Sequence, residues 1–287
     1  MAHRAMPSGV ARRRNPETPA ASPESRASFS ALGIAVVLIL ASASVGVAMG
    51  QPGEEPPCQP VAAPLPVEQV VENLAQRNAE RARALERYVS RRRYLLEYSG
   101  FPGDRRAEMV VEARYAAPTT KGFTIVSQSG SAALINKVFK KLLEGEQEAL
   151  EPENQSRTAL NNSNYEFCLL EYQHAGDLSV YVLSLTPKLK NKFLYRGKIW
   201  VDAKDFAVIR IEAEPAKNPS FWIKKSQIQH AYARVGEFWL PSENHTTSWV
   251  RLGGRAVLTI LYTDYTVVSV RGAAQLQSSL TGGQSKP

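Results

Sequence analysis

The chain has 287 residues, 44% of them apolar, and a formal net charge of +8. That length and composition suit one large domain with a full core, and nothing marks a boundary between two small ones. The two cysteines, Cys58 and Cys168, stand outside any CxxC pair, which leaves zinc and redox motifs unsupported. Residues 1–50 hold five Arg against Glu17 and Glu24, a net +3, so the remainder carries +5. That excess suits an anionic lipid surface or an acidic partner, and equally an ordinary solvated basic surface.

Residues 1–28 are polar and include Arg12, Arg13 and Arg14, whereas 29–50 are apolar and uncharged. A basic stretch before an apolar run that ends in small residues (Ala48-Met49-Gly50) describes a secretory signal. The run also approaches the ~20 residues that span a bilayer, so an uncleaved anchor is the other reading. Both readings place the rest of the chain outside the cytoplasm. It would be periplasmic, or held at the inner membrane by residues 29–50. The Glu-Pro-Pro before Cys58 is unlike a lipoprotein signal, and six prolines within 51–66 read as a linker.

From Val67 the pattern becomes helical. Val67, Val70, Val71, Leu74 and Leu85 share near-helical spacing, which predicts a helix over 67–85. The period then drops to two, predicting strands over 88–98, 108–116 and 122–128. Leu134, Ile135, Val138, Phe139, Leu142 and Leu143 form one face of a second helix, 134–143. Residues 144–164 are polar, contain Pro152 and read as a loop. Seven further strands follow, over 165–174, 178–186, 193–201, 206–214, 223–235, 238–250 and 255–267. Their short connections predict an antiparallel meander. The tail from 271 is rich in Ser, Gly and Gln and is expected to be disordered. Cys168, within YEFCLLEY, reads as a small core residue; pairing with Cys58 is permitted in an oxidising compartment but not required.

These elements predict a mainly β (α+β) domain over 67–270. The expected architecture is a curved antiparallel sheet forming an incomplete, half-open barrel, with amphipathic helices covering its concave face. Both faces of 255–267 carry apolar side chains: Val257, Leu261 and Tyr265 on one, Ala256, Leu258, Ile260 and Tyr262 on the other. In 223–235, Ala231 and Ala233 face away from Ile228, His230 and Tyr232. Such surface serves either a core or a ligand site. The tryptophans Trp200, Trp239 and Trp249 suit sheet packing at least as well as ligand contact. Lys224 and Lys225 beside Trp222 suit lipid headgroups or phosphate, or a solvated turn. The candidate lining of an apolar cavity is Leu134, Val138, Phe139, Leu142, Trp200, Trp222, Ala231, Ala233, Trp239, Leu258 and Leu261.

The run FLYRGKIWVDAKDFAVIRIEAEPAKNPSFWIKKSQIQHAYARVGEFWLPSENHTTSWVRLGGRAVLTILYTDY (193–265) resembles the C-terminal half of bacterial outer-membrane lipoprotein-sorting proteins, the LolA/LolB-like superfamily. The pieces that carry it are YRGKIWVD at 195–202, PAKNPSFWIKK at 215–225 and FWLPSE at 238–243. KVFKKLLEGE at 137–146 and NYEFCLLEY at 164–172 match the same group upstream. The resemblance spans about Val67 to Val268 and is to a secreted subfamily of largely unassigned role. It implies a half-open β-barrel with a helical lid and an apolar hollow that accepts acyl chains. It also implies a lipid or acylated lipoprotein as partner and a role in lipoprotein sorting or lipid transfer. A scaffold or sensor of an envelope complex, with the hollow filled by the protein's own side chains, is the alternative. Arg92, Arg93 and Arg114 are candidates, by position, for the carriers' functional arginine.

Catalytic chemistry finds little footing. His3, His174, His230 and His245 lack HxxxH or HExxH spacing, and no GxSxG elbow, P-loop or GxGxxG occurs. Asp202 and Asp205 flank a turn, where acidic residues cap loops. The chain reads as a non-enzymatic monomer without cofactor or metal, whose partners include a membrane surface or an envelope complex but not nucleic acid.

Overall fold

The computed structural model describes Cys58 and residues 61–176, 178–218, 220–251 and 253–270. The expected signal segment, most of the Pro-rich linker and the tail from 271 lie outside the described residues. The chain enters through helix α1, Val67–Ala84, whose Val70, Val71 and Leu74 are buried on one stripe. Glu68 in its first turn and Arg81 and Arg83 in its last complement the helix dipole. No loop follows: strand β1, Leu85–Gly100, starts at the next residue. Strands β2 (Arg105–Ala116) and β3 (Thr120–Gly130) complete an N-terminal three-strand unit.

A helical segment then crosses to the second unit. Helix α2 covers residues 132–148 and contains a π-helical turn, Ile135–Phe139. A short helix α3, Pro152–Thr158, follows. Residues 144–164 are therefore not the expected loop. Gly145, which costs about 1 kcal/mol in a helix interior, is tolerated inside α2, and Pro152 takes the first helical position, where its missing N–H costs nothing.

Seven strands follow: β4 (Tyr165–Ala175), β5 (Leu178–Pro187), β6 (Tyr195–Asp202), β7 (Val208–Pro215), β8 (Ile223–Val235), β9 (Phe238–Val250) and β10 (Gly254–Ser269). All ten form one antiparallel sheet in the order β3-β2-β1-β10-β9-β8-β7-β6-β5-β4. The only break in the meander is the join of β1 to β10, in register from Leu85 opposite Ser269 to Gly100 opposite Gly254. The sheet does not close, so β3 and β4 are its edges, and the architecture is an open half-barrel with three helices. Register shifts between Val89 and Arg91, and between Ala231 and Tyr232, mark β-bulges, which bend strands and raise their twist.

The helices divide the inner face. Helix α1 lays Val70, Val71 and Leu74 on a cluster that includes Leu169, Leu183, Tyr195, Ile199 and Ile211. Helix α2 lays Val138, Phe139 and Leu142 on Tyr94, Leu96, Met109, Leu258 and Ile260. A third cluster, Leu85, Tyr88, Tyr115, Phe238 and Leu240, fills one end. Helix α1 is tied at its far end, where the Arg81 guanidinium donates to the carbonyls of Asp205 and Phe206 at 2.8 Å each. Cys58 and Cys168 form a disulfide with their Cα atoms 5.6 Å apart, tying the chain ahead of α1 to edge strand β4.

Candidate functional site

The site is the part of the inner face under α2, and strand alternation decides which residues reach it. On β1 the inward positions are Ser90, Arg92, Tyr94 and Leu96, all 0–1% exposed. On β10 they are Ala256, Leu258, Ile260 and Tyr262, and on β8 Ser226, Ile228 and His230. An apolar floor thus surrounds a strongly polar centre.

That centre joins three elements distant in sequence. Glu146 of α2 is buried, and both its oxygens accept from Arg92 Nη1 of β1, at 3.0 and 2.7 Å. Lys121 Nζ of β3 donates to the same carboxylate at 2.6 Å, and the Tyr94 hydroxyl donates at 3.3 Å. Gln147 donates to the Lys121 carbonyl at 3.0 Å, so α2 grips the edge strand through main chain as well. The Arg92 guanidinium also lies over the rings of Tyr262 (5.0 Å) and Phe123 (5.5 Å), contacts that strengthen where water is excluded.

Two cations meet one carboxylate where burial and charge both act on the titrations. Burial pushes the Glu146 carboxyl up, but the charges of Arg92 and Lys121 outweigh it and hold it down at about 2. Burial drives His230 down to about 3, with the Glu146 charge opposing and Arg92 assisting. His230 is therefore a neutral imidazole at ordinary pH. Asn244 Nδ2 donates to its Nδ1 at 3.0 Å, and the Thr246 hydroxyl donates to Asn244 Oδ1 at 2.9 Å. This pattern assigns the ring proton to Nε2. Three buried polar atoms lack a hydrogen-bond partner among the described residues: Ser90 Oγ, Arg92 Nε and His230 Nε2. Arg92 and His230 flank the Tyr262 ring, at 5.0 and 6.0 Å.

The residues expected from sequence to line a cavity fall into two groups. Val138, Phe139, Leu142 and Leu258 come together here, 0–2% exposed, with Leu134 packed at their margin. The others lie elsewhere. Trp200 occupies the opposite face of β6 from Ile199 and Val201, beneath the Arg210 guanidinium at 4.9 Å. Trp239 alternates against buried Phe238 and Leu240 and donates from Nε1 to Asp205 at 3.0 Å. Ala231 and Ala233 alternate against inward His230 and Tyr232, so the small residues are outside and the large ones inside. Leu261 is 39% exposed on the outer face. Trp222 sits at the sheet end against Phe221.

Of the three candidate arginines only Arg92 points inward. Arg93 pairs with Glu108, and Arg114 with Glu112, on the exposed side. Sequence reasoning missed Glu146, Lys121 and the His230–Asn244 pair. The one available signal was a Glu four residues beyond Leu142, on the apolar stripe of its helix. Among the described residues no group of three or more His, Cys, Asp or Glu is placed to hold a metal, and no helix is long and apolar enough to cross a membrane.

No protein-family model matches the chain, and no curated protein matches it. Solved structures do. A LolA superfamily protein from Nitrosomonas europaea is 10% identical with a TM-score of 0.31, covering 71% of this chain and 94% of its own. A putative outer membrane lipoprotein-sorting protein domain from Vibrio parahaemolyticus is 13% identical with a TM-score of 0.34, covering 70% and 92%. The complex structure of MucA/MucB from Pseudomonas aeruginosa gives 11% identity and a TM-score of 0.23, covering 72% and 96%.

Proposed function

We propose that the protein is an exported, non-enzymatic carrier that shields the acyl chains of a lipid or acylated lipoprotein against the inner face of its half-barrel. It would work in the periplasm, in lipoprotein sorting or lipid transfer, with α2 as a displaceable cover. The observation that carries this is the pairing of an apolar floor (Leu96, Met109, Leu258, Ile260) with unpartnered buried polar atoms on Ser90, Arg92 and His230. A core built for stability alone satisfies such groups or omits them. An amphiphile needs both, since its chain gains about 0.8 kcal/mol per buried CH₂ and its head seeks donors. The ionic seam beneath α2 supports a cover that separates from the sheet, because buried ion pairs specify arrangement more than they stabilise it. The disulfide fits an oxidising compartment.

A specific observation favours the second reading, a self-filled scaffold. Phe139 and Leu142 of α2 already occupy the floor and are 0–1% exposed. Native mass spectrometry of gently purified protein, with lipid extraction, separates the two. One amphiphile per chain supports the carrier. A clean apo mass that takes up no added fatty acid supports the scaffold and overturns the carrier.

A further inference from the structure

The outer end of the sheet, away from the covered face, carries a second feature. The β1–β2 turn and the β7–β8 and β9–β10 connections lie side by side there, because Gly100 pairs with Gly254 and Ile223 with Val250. Each of the first two presents an aromatic ring to water: Phe101 is 77% exposed and Phe221 53%. A lone exposed ring is unremarkable. These two are held outward by dedicated braces. The Tyr98 hydroxyl donates to the Phe101 carbonyl at 2.6 Å, Gly103 N–H donates to the Gly100 carbonyl at 2.6 Å, and Gly100 N–H donates to Asp104 Oδ1 at 3.1 Å. Across the other two connections, Arg251 Nε donates to the Phe221 carbonyl at 2.6 Å, and its guanidinium covers the Phe221 ring at 5.0 Å. The Arg251 N–H donates to the Trp222 carbonyl at 2.8 Å.

Charge at this end is one-sided. Arg105, Lys217, Lys224, Arg251 and Arg255 are exposed and have no acidic partner among the described residues. Arg106 and Lys225 are neutralised by Glu97 and Glu214. Against those five cations stands Asp104, a net +4. Braced aromatic rings within a cationic ring fit the interface of a bilayer that carries anionic headgroups: rings enter the headgroup boundary, and nearby cations are drawn to the anionic surface.

We propose that this end of the half-barrel docks on an anionic phospholipid surface, with Phe101 and Phe221 as its insertion points. The surface is separate from the floor under α2, so docking can hold where lipid uptake fails, and the reverse. The test uses the full chain with its disulfide intact and one added cysteine carrying an environment-sensitive NBD probe. The labelled position is Phe101→Cys, or Glu237→Cys on the β8–β9 turn at the opposite end.

The expected result is a blue shift and brightening at position 101 with phosphatidylglycerol-containing vesicles. The change is lost in high salt and with phosphatidylcholine vesicles, and position 237 stays unchanged. In the Lys217→Glu/Lys224→Glu background the change at 101 disappears while circular dichroism stays native. The proposal is overturned by a silent probe at 101, by equal changes at both positions, by an equal response to phosphatidylcholine, or by a response only to an acidic protein. Any binding through residues 29–50 is common to both labelled chains and does not distinguish them.

Discussion

Glu146 of helix α2 receives both of its shortest arginine contacts from one atom, Nη1 of Arg92 on β1, at 2.7 and 3.0 Å where water does not reach. Lys121 completes the cluster from β3. Removing one member leaves the others charged and buried. Glu146→Gln should therefore destabilise the fold by roughly 3–5 kcal/mol, whereas Arg92→Met/Lys121→Met/Glu146→Met together should leave stability near or above the native value. Urea unfolding of both variants checks this; a triple variant weaker than the single one contradicts it.

Acid stability should show two onsets. His230 is held down to about 3 by burial from an ordinary value of 6.5. The unfolded chain thus binds the extra proton first, and stability declines as pH falls from 6.5 toward 3. Glu146, held at about 2 against an ordinary 4.5, loses its contribution between those values. In His230→Phe the decline should begin near the carboxylate range instead. Thermal melts across pH, compared between the two proteins, read this directly.

The disulfide closes a long loop, with Cys58 and Cys168 separated by 110 positions. Reduction or Cys168→Ser should cost about 2–5 kcal/mol. The largest loss of amide protection should fall in β4 and the neighbouring end of α1, which hydrogen exchange would locate. Protection lost uniformly would show that the bond acts only on the unfolded chain.

Leu258 and Leu261 lie three residues apart on β10 but face opposite ways, 0% and 39% exposed. Leu258→Ala should cost about 2–5 kcal/mol by opening a cavity beneath α2. Leu261→Ala should stay within about 0.5 kcal/mol. Only the first should change the uptake of an apolar probe.

The architecture was legible because periodicity survives in nearly every element. Val70, Val71 and Leu74 announce α1, and the alternation of Ala256, Leu258, Ile260 and Tyr262 announces β10. Alternation separates two faces but does not say which is inside. That is why Ala231 and Ala233, read as room on an inner face, lie outside, while His230 and Tyr232 lie inside. Large aromatics mislead for the same reason: alternation puts Trp200 and Trp239 on the outer face, where Arg210 lies over the first ring and Asp205 accepts from the second. The ionic centre was illegible as a whole: Glu146 on an apolar stripe hints at burial and Arg92 alternates inward, but only the tertiary fold makes them neighbours of Lys121.

The pairing of β1 with β10 sets the order in which this chain can acquire its structure. Leu85 finds Ser269, and Gly100 finds Gly254, only when the last strand is available. Until then β1 has an open flank, the floor beneath α2 lacks Leu258 and Ile260, and Arg92 lacks the Tyr262 ring. Such distant pairings fold slowly, because loop closure must precede reward. A nascent chain without β10 therefore holds its N-terminal unit unfinished, and completion of the half-barrel waits for the last strand.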